Sequence, residues 1–140
     1  MQLEVKGLDG LIKKFNRLSN DSQKRVNSAL QSWADNVASD AKRLVPVDTG
    51  NLKNSINPKY GNGFASVTAS ANYAAYVEFG TRKMASEYVS SLPADWVSYA
   101  ATFKRSRGKI TEGMRPRPFM YPAVNKNMLQ LIQDIKDALK

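Results

Sequence analysis

Apolar residues along this chain follow two different rhythms. Val26, Leu30, Trp33, Val37, Ala41 and Leu44 recur at steps of three and four with no Gly or Pro between them. An α-helix stacks such positions on one face, so the spacing predicts a long helix that buries a single stripe. Ser19-Asn20-Asp21-Ser22 precedes it and offers side-chain oxygens to the free amides of a helix start. Pro46 cannot continue the helix and biases Val45 toward extended angles, so the chain must turn there. Upstream, Gln2 to Lys6 alternates as a short strand ended by Gly7. Leu8, Leu11, Ile12, Phe15 and Leu18 then have helical spacing, with Lys13, Lys14 and Arg17 facing outward.

The second rhythm has a period of two. Ile56 to Tyr60 and Phe64 to Ala71 read as strands joined at Gly61-Asn62-Gly63, a strong hairpin signal. Ala65, Val67, Ala69 and Ala71 share one face, small enough for the long helix to lie close across the sheet. Further on, Ala94 to Phe103 predicts a short helix with Pro93 at its start and Trp96, Ala100 and Phe103 on one side. Pro122 opens a final helix whose stripe is Val124, Met128, Leu131, Ile132, Ile135 and Leu139. Its outer face carries Lys126, Gln130, Gln133, Asp137 and Lys140. The expected fold is α+β: an antiparallel sheet of about four strands with the long helix and the C-terminal helix packed on one face.

Composition narrows the function. The chain has 140 residues with 42% hydrophobic content, suited to one domain over 1–140. It contains no Cys and no His, which closes disulfides, thiolate or imidazole metal sites and every Ser-His or Cys-His catalytic pair. No cofactor is expected. No apolar run approaches a membrane span and no signal-peptide pattern opens the chain, so synthesis in the cytoplasm is expected, with no membrane partner. Twenty-one Lys and Arg against twelve Asp and Glu give a formal charge of +9, which favours polyanions.

One tripeptide tests the enzyme reading. Asp48-Thr49-Gly50 is the string that carries the catalytic carboxylate of aspartic proteases, which need two such carboxylates sharing a proton on a strand-rich frame. Here there is one, and it follows a helix. Pro46, Asp48, Thr49 and Gly50 read better as a structural turn: Asp and Thr side chains bond nearby amides, and Gly50 permits angles closed to other residues. A carboxylate hydrolase using Asp48 or Glu78 would also need converging acids, and the twelve present are dispersed.

Three blocks then occur in order: Val45-Pro46-Val47-Asp48-Thr49-Gly50-Asn51-Leu52, Tyr73-Ala74-Ala75-Tyr76-Val77-Glu78-Phe79-Gly80-Thr81, and Pro118-Phe119-Met120-Tyr121-Pro122-Ala123. Together they resemble the gene-product-ten family of morphogenesis proteins of long-tailed bacteriophages. The resemblance implies a non-enzymatic structural protein of the virion neck or tail end, joining head to tail or completing the tail. It also implies partners among its own copies in a homo-oligomeric ring and among neighbouring neck or tail proteins. By the same resemblance Tyr73, Tyr76, Glu78, Phe79 and Gly80 form a structural corner. Read from the residues alone, Tyr76 and Phe79 fill core and Glu78 pairs with a neighbouring Arg.

Residues 84–115 depart from the family pattern as an extended insertion. Lys104, Arg105, Arg107, Lys109, Arg115 and Arg117 cluster at its end against the single acid Glu112. They are candidate contacts for genomic DNA, through phosphates and without sequence specificity, or for an acidic partner. The competing reading is a basic nucleic-acid-binding module outside any virion.

Overall fold

The structure is a computed structural model that describes residues 2–4, 14–46, 50–103 and 113–140. Strand β1 (Gln2–Glu4) is followed by a single 3-10 turn at Phe15–Arg17, the long helix α1 (Asn20–Leu44) and the short helix α2 (Gly50–Asn54). The hairpin β2 (Ile56–Gly61) and β3 (Phe64–Ala69) comes next. Helices α3 (Ala74–Phe79), α4 (Arg82–Val89), α5 (Ala94–Ala101) and α6 (Met120–Ala138) complete the chain. Leu8, Leu11 and Ile12, expected on a first helix, lie outside the described residues.

The sheet is antiparallel, in the order β1-β3-β2. It holds three strands among the described residues rather than about four. The aromatic block from Tyr73, whose periodicity in the sequence is ambiguous, adds no strand: it folds as α3, where its apolar residues serve helix packing. The hairpin forms where expected, with its second strand ending at Ala69 and not Ala71: Ile56 faces Ala69 and Gly61 faces Phe64 across the turn at Asn62-Gly63. Gly63 adopts φ 80°, the left-handed geometry such turns demand. Asn27 of α1 fixes this turn from outside, donating to Asn62 Oδ1 and accepting from the Gly63 amide, both at 2.9 Å. Pro58 is tolerated because β2 is an edge strand.

Helix α1 begins as its sequence predicts, with the Ser19 hydroxyl accepting from the Ser22 amide at 3.2 Å. Its buried face is wider than one stripe. Ala29, Ala34, Ala38 and Asp40 are buried beside Val26, Leu30, Trp33, Val37 and Ala41. The reason is that α1 is contacted from two sides, by β2 and β3 and by α6. Leu44 is exposed instead of closing the stripe, because it is the last residue of the helix. On the sheet side the fully buried Ala34, Ala41, Ala69 and Val67 are small, which lets helix and strands approach closely.

Helix α6 departs from the expected arrangement in that its extensive contact is with α1, not with the sheet. The two run antiparallel: Asn127 Nδ2 donates to Asp40 Oδ2 at 2.8 Å, while Arg25 and Ser28 line an open groove with Asp134 and Asp137 at the other end. Asp40 is buried and also pairs with Arg43 and with Lys126, so its carboxylate is satisfied from both helices. Leu131, Ile135 and Ala138 face α1. Ile132, Leu139 and above all Leu129, at 79% exposure, do not.

The close approach of α1 to the sheet makes a volume prediction. Ala41→Leu should destabilise by about 1 to 3 kcal/mol, since a packed interface cannot take the added methylenes without displacement. Leu129→Ser should change stability by no more than about 0.5 kcal/mol. Urea denaturation of both variants checks the pair.

Candidate functional site

The second and third sequence blocks meet at one buried carboxylate. Glu78, at 0% exposure, lies near the end of α3. Its Oε2 accepts from the Phe119 amide at 2.7 Å and the Met120 amide at 2.8 Å, and its Oε1 accepts from the Tyr121 amide at 3.0 Å. Those residues are the N-cap and first positions of α6, which has no side-chain cap of its own. An α-helix leaves its first four amides without partners. Glu78 takes three of them, and the fourth position is Pro122, which has no N–H. Every donor at the start of α6 is thereby satisfied or removed. The carboxylate also faces the positive end of a 19-residue helix.

Two forces act on the Glu78 carboxyl. Burial pushes its pKa above the ordinary 4.5, and the three amide bonds pull it back, with burial the larger. The expected Arg partner is thus replaced by backbone amides, because Glu78 points inward where no solvated guanidinium can follow. Nearby, the Tyr88 hydroxyl is buried without a hydrogen-bond partner. Its pKa is raised by burial first and then by the negative charge of Glu78 and of Tyr121.

Backbone bonds extend the junction on both sides of Glu78. The Arg117 amide donates to the Val77 carbonyl at 2.8 Å, and the Thr81 amide to the Met114 carbonyl at 3.1 Å. The Met114 amide donates to Thr81 Oγ1 at 2.7 Å. Between them Gly80 has φ 75°, and a Cβ there would lie 2.6 Å from the Met114 carbonyl oxygen. Only glycine fits both the angle and the space.

The other expected site residues distribute unevenly. Phe79 is fully buried, with ring centroids 6.4 Å from Trp96, 6.4 Å from Tyr99 and 6.1 Å from Phe103. Tyr73 is half-buried against the main core, whereas Tyr76 is exposed and does not fill core as expected; on α3 it faces away from its buried neighbours Ala75, Val77 and Phe79. Pro46 follows α1 at an extended Val45 (φ −64°, ψ 136°), as expected. Asp48 and Thr49 lie outside the described residues. Gly50 corrects the turn reading: it opens α2 without a positive φ, and a Cβ on it would meet nothing within 4 Å. That short helix exists to deliver Leu52, which is fully buried. Arg115 and Arg117 are exposed, while Lys104, Arg105, Arg107 and Lys109 lie outside the described residues. Among the described residues no three acidic side chains converge on a metal-sized site.

Sequence reasoning singled out Glu78 but missed its partners and missed Thr81. The signal available was a helix start, Phe119 to Pro122, that lacks any Ser, Thr, Asp or Asn to cap it. An uncapped helix start implies a donor-satisfying group from elsewhere in the chain.

Glu78→Ala should destabilise by about 3 kcal/mol or more, since it strands three buried amides. Folding raises the Glu78 pKa, so its titration contributes stability fully present below about pH 4.5 and lost as pH rises through the folded value. The stability advantage of wild type over Glu78→Gln should therefore narrow as pH rises from 4.5, measured by denaturant melts across pH. A second comparison separates the glycines. Gly80→Ala should cost about 1 to 3 kcal/mol, whereas Gly50→Ala should be neutral or stabilising by up to about 1 kcal/mol in thermal melts.

Comparison with known proteins bears on the first part of the chain. No curated protein and no solved structure matches it. A family model described as "Bacteriophage HK97-gp10, putative tail-component" matches residues 9–80. The match runs from before α1 to Gly80, and it contains Glu78 but not the amides that Glu78 holds. Covering more than half of the residues, it shows that this chain belongs to the HK97-gp10-like family of bacteriophage proteins.

Proposed function

We propose that this chain is a non-enzymatic structural subunit of a tailed-phage virion that closes with its own copies into a ring at the neck or tail end. The ring would join head to tail or complete the tail. Family membership carries the reading. Two features support it. The fully buried acid Glu78 is committed to backbone amides, so it is occupied in holding the fold. Large apolar side chains also remain outside, among them Tyr60, Phe64, Tyr76 and Leu129, and these are the residue types that interfaces bury.

The basic run belongs to the same proposal. Exposed Arg115 and Arg117 follow Lys104, Arg105, Arg107 and Lys109 in sequence, and a ring would repeat the run once per subunit. Such a belt would contact genomic DNA through phosphates alone, attraction that is indifferent to sequence and screened by salt. A free nucleic-acid-binding module would share the charge but not the family membership.

Native mass spectrometry and negative-stain imaging of the purified chain and of extracted virions test the ring. A closed homo-oligomer is expected in at least the virion; a monomer in both, even at high concentration, overturns it. Replacing Lys104, Arg105, Arg107 and Lys109 by Ser should leave ring assembly intact and abolish salt-sensitive DNA binding. Unchanged DNA binding removes the DNA contact from the proposal.

A further inference from the structure

The turn that joins β2 to β3 is Asn62-Gly63, the one Asn-Gly pair in the chain. Such a pair is chemically labile. Once the Gly63 nitrogen gives up its proton it can attack Cγ of the Asn62 side chain, because glycine carries no side chain to obstruct the approach. A nitrogen–carbon bond forms, the Cγ–Nδ2 bond breaks and the side-chain nitrogen leaves as ammonia. Water then opens the cyclic imide at either carbonyl, which leaves aspartate or isoaspartate at position 62. Isoaspartate adds a methylene to the main chain, and a two-residue turn cannot accept it and keep Gly61 opposite Phe64.

The fold requires the glycine that makes Asn62 labile. Gly63 has φ 80°, and a Cβ there would lie 3.1 Å from Cδ1 of the buried Phe15 ring, so the angle and the space both disfavour a side chain. Strand pairing ends at Gly61 and Phe64, so the ladder itself does not hold the two turn residues. A distant residue does. Asn27 of α1 lies 35 positions from Asn62 and 36 from Gly63 and bonds both, each at 2.9 Å. A backbone amide can only donate, so the Asn27 atom that receives Gly63 is Oδ1, and Asn27 Nδ2 is left to donate to Asn62 Oδ1.

We propose that Asn62 is a deamidation site and that Asn27 keeps it closed in the folded protein. This goes beyond assembly into a ring and does not depend on it. The reaction begins with loss of the Gly63 proton, and the bond to Asn27 Oδ1 stabilises the protonated amide. Ring closure then requires the Asn62 side chain to swing into aligned contact with the Gly63 nitrogen, and the second bond ties that side chain to α1. Helix α1 cannot follow the movement, since it is packed along 25 residues by the sheet and by α6. The site also matters for the surface. Exposed Tyr60 and Phe64 flank the turn, so a break in its register would rearrange the apolar tip of the hairpin.

Peptide mapping by mass spectrometry tests the proposal on the full chain, aged in mildly alkaline buffer below its melting temperature. Conversion of Asn62 to aspartate and isoaspartate should be at least about tenfold slower in the folded wild type than in the same chain held unfolded in urea. Asn27→Ala should recover most of that difference. Asn27→Asp should stay slow, because its carboxylate still accepts from the Gly63 amide and Asn62 can turn its own amide to donate. Asn54, exposed at the end of α2 and followed by Ser55, is an internal clock for general loosening, and its rate should be the same in wild type and Asn27→Ala. Equal conversion of Asn62 in folded and unfolded wild type overturns the proposal, as does an Asn27→Ala protein as slow as wild type. So does an Asn27→Asp protein as fast as Asn27→Ala, or a rise at Asn54 in proportion to the rise at Asn62.

Discussion

A carboxylate that must be kept out of water and a helix start that lacks a cap solve each other's problem in this protein. Burying Glu78 alone would be expensive, and leaving the amides of Phe119, Met120 and Tyr121 unpaired would be expensive as well. Joined, they form one charge-assisted junction between α3 and α6, aligned with the helix dipole. The rest of the architecture follows from that fixed point. It sets where α6 begins, and so which of its residues lie along α1. It holds Phe79 against the rings of Trp96, Tyr99 and Phe103. It also forces Gly80 into a conformation that only glycine adopts, because the returning chain passes so close.

Helix α1 is the second organising element. It is contacted by the sheet and by α6, and its alanines determine how near both can come. A helix filled with Leu on the same pattern would satisfy the apolar periodicity and still hold the layers apart. Asp40, buried on α1, adds a polar registry point, since Asn127 and Lys126 of α6 must lie opposite it to reach it. Packing thus supplies the stability, and a few satisfied polar contacts select the arrangement.

The family match ends at Gly80, and the structure gives that boundary a physical meaning. Up to Gly80 the chain builds α1, the hairpin and α3. Beyond it the chain forms α4 and α5, which pack around Phe79, and Met114 returns to bond Thr81.

Local rules were legible in the sequence wherever one element's neighbours in space are its neighbours in the chain. The Ser19 cap, the α1 periodicity, the Asn62-Gly63 turn and the small face of β3 all follow from spacing within a few residues, and the structure has them. What depends on residues far apart was not legible. Glu78 and Phe119 are 41 positions from each other, so nothing local says that an uncapped helix would be capped by that acid instead of by an Arg-paired neighbour's side chain. Tyr76 and Phe79 carry the same aromatic signal three residues apart, yet one is exposed and the other wholly buried. Gly50 reads in the sequence as the turn glycine and Gly80 only as part of a corner, yet it is the second that is compelled, by a carbonyl brought from Met114. Sequence alone determined the long helix, the hairpin and the terminal helix, and that no Cys or His chemistry is present; the tertiary structure decided the short helices α2, α3 and α4 and which charges are buried and against what, because burial is a property of the assembled layers and not of any one segment.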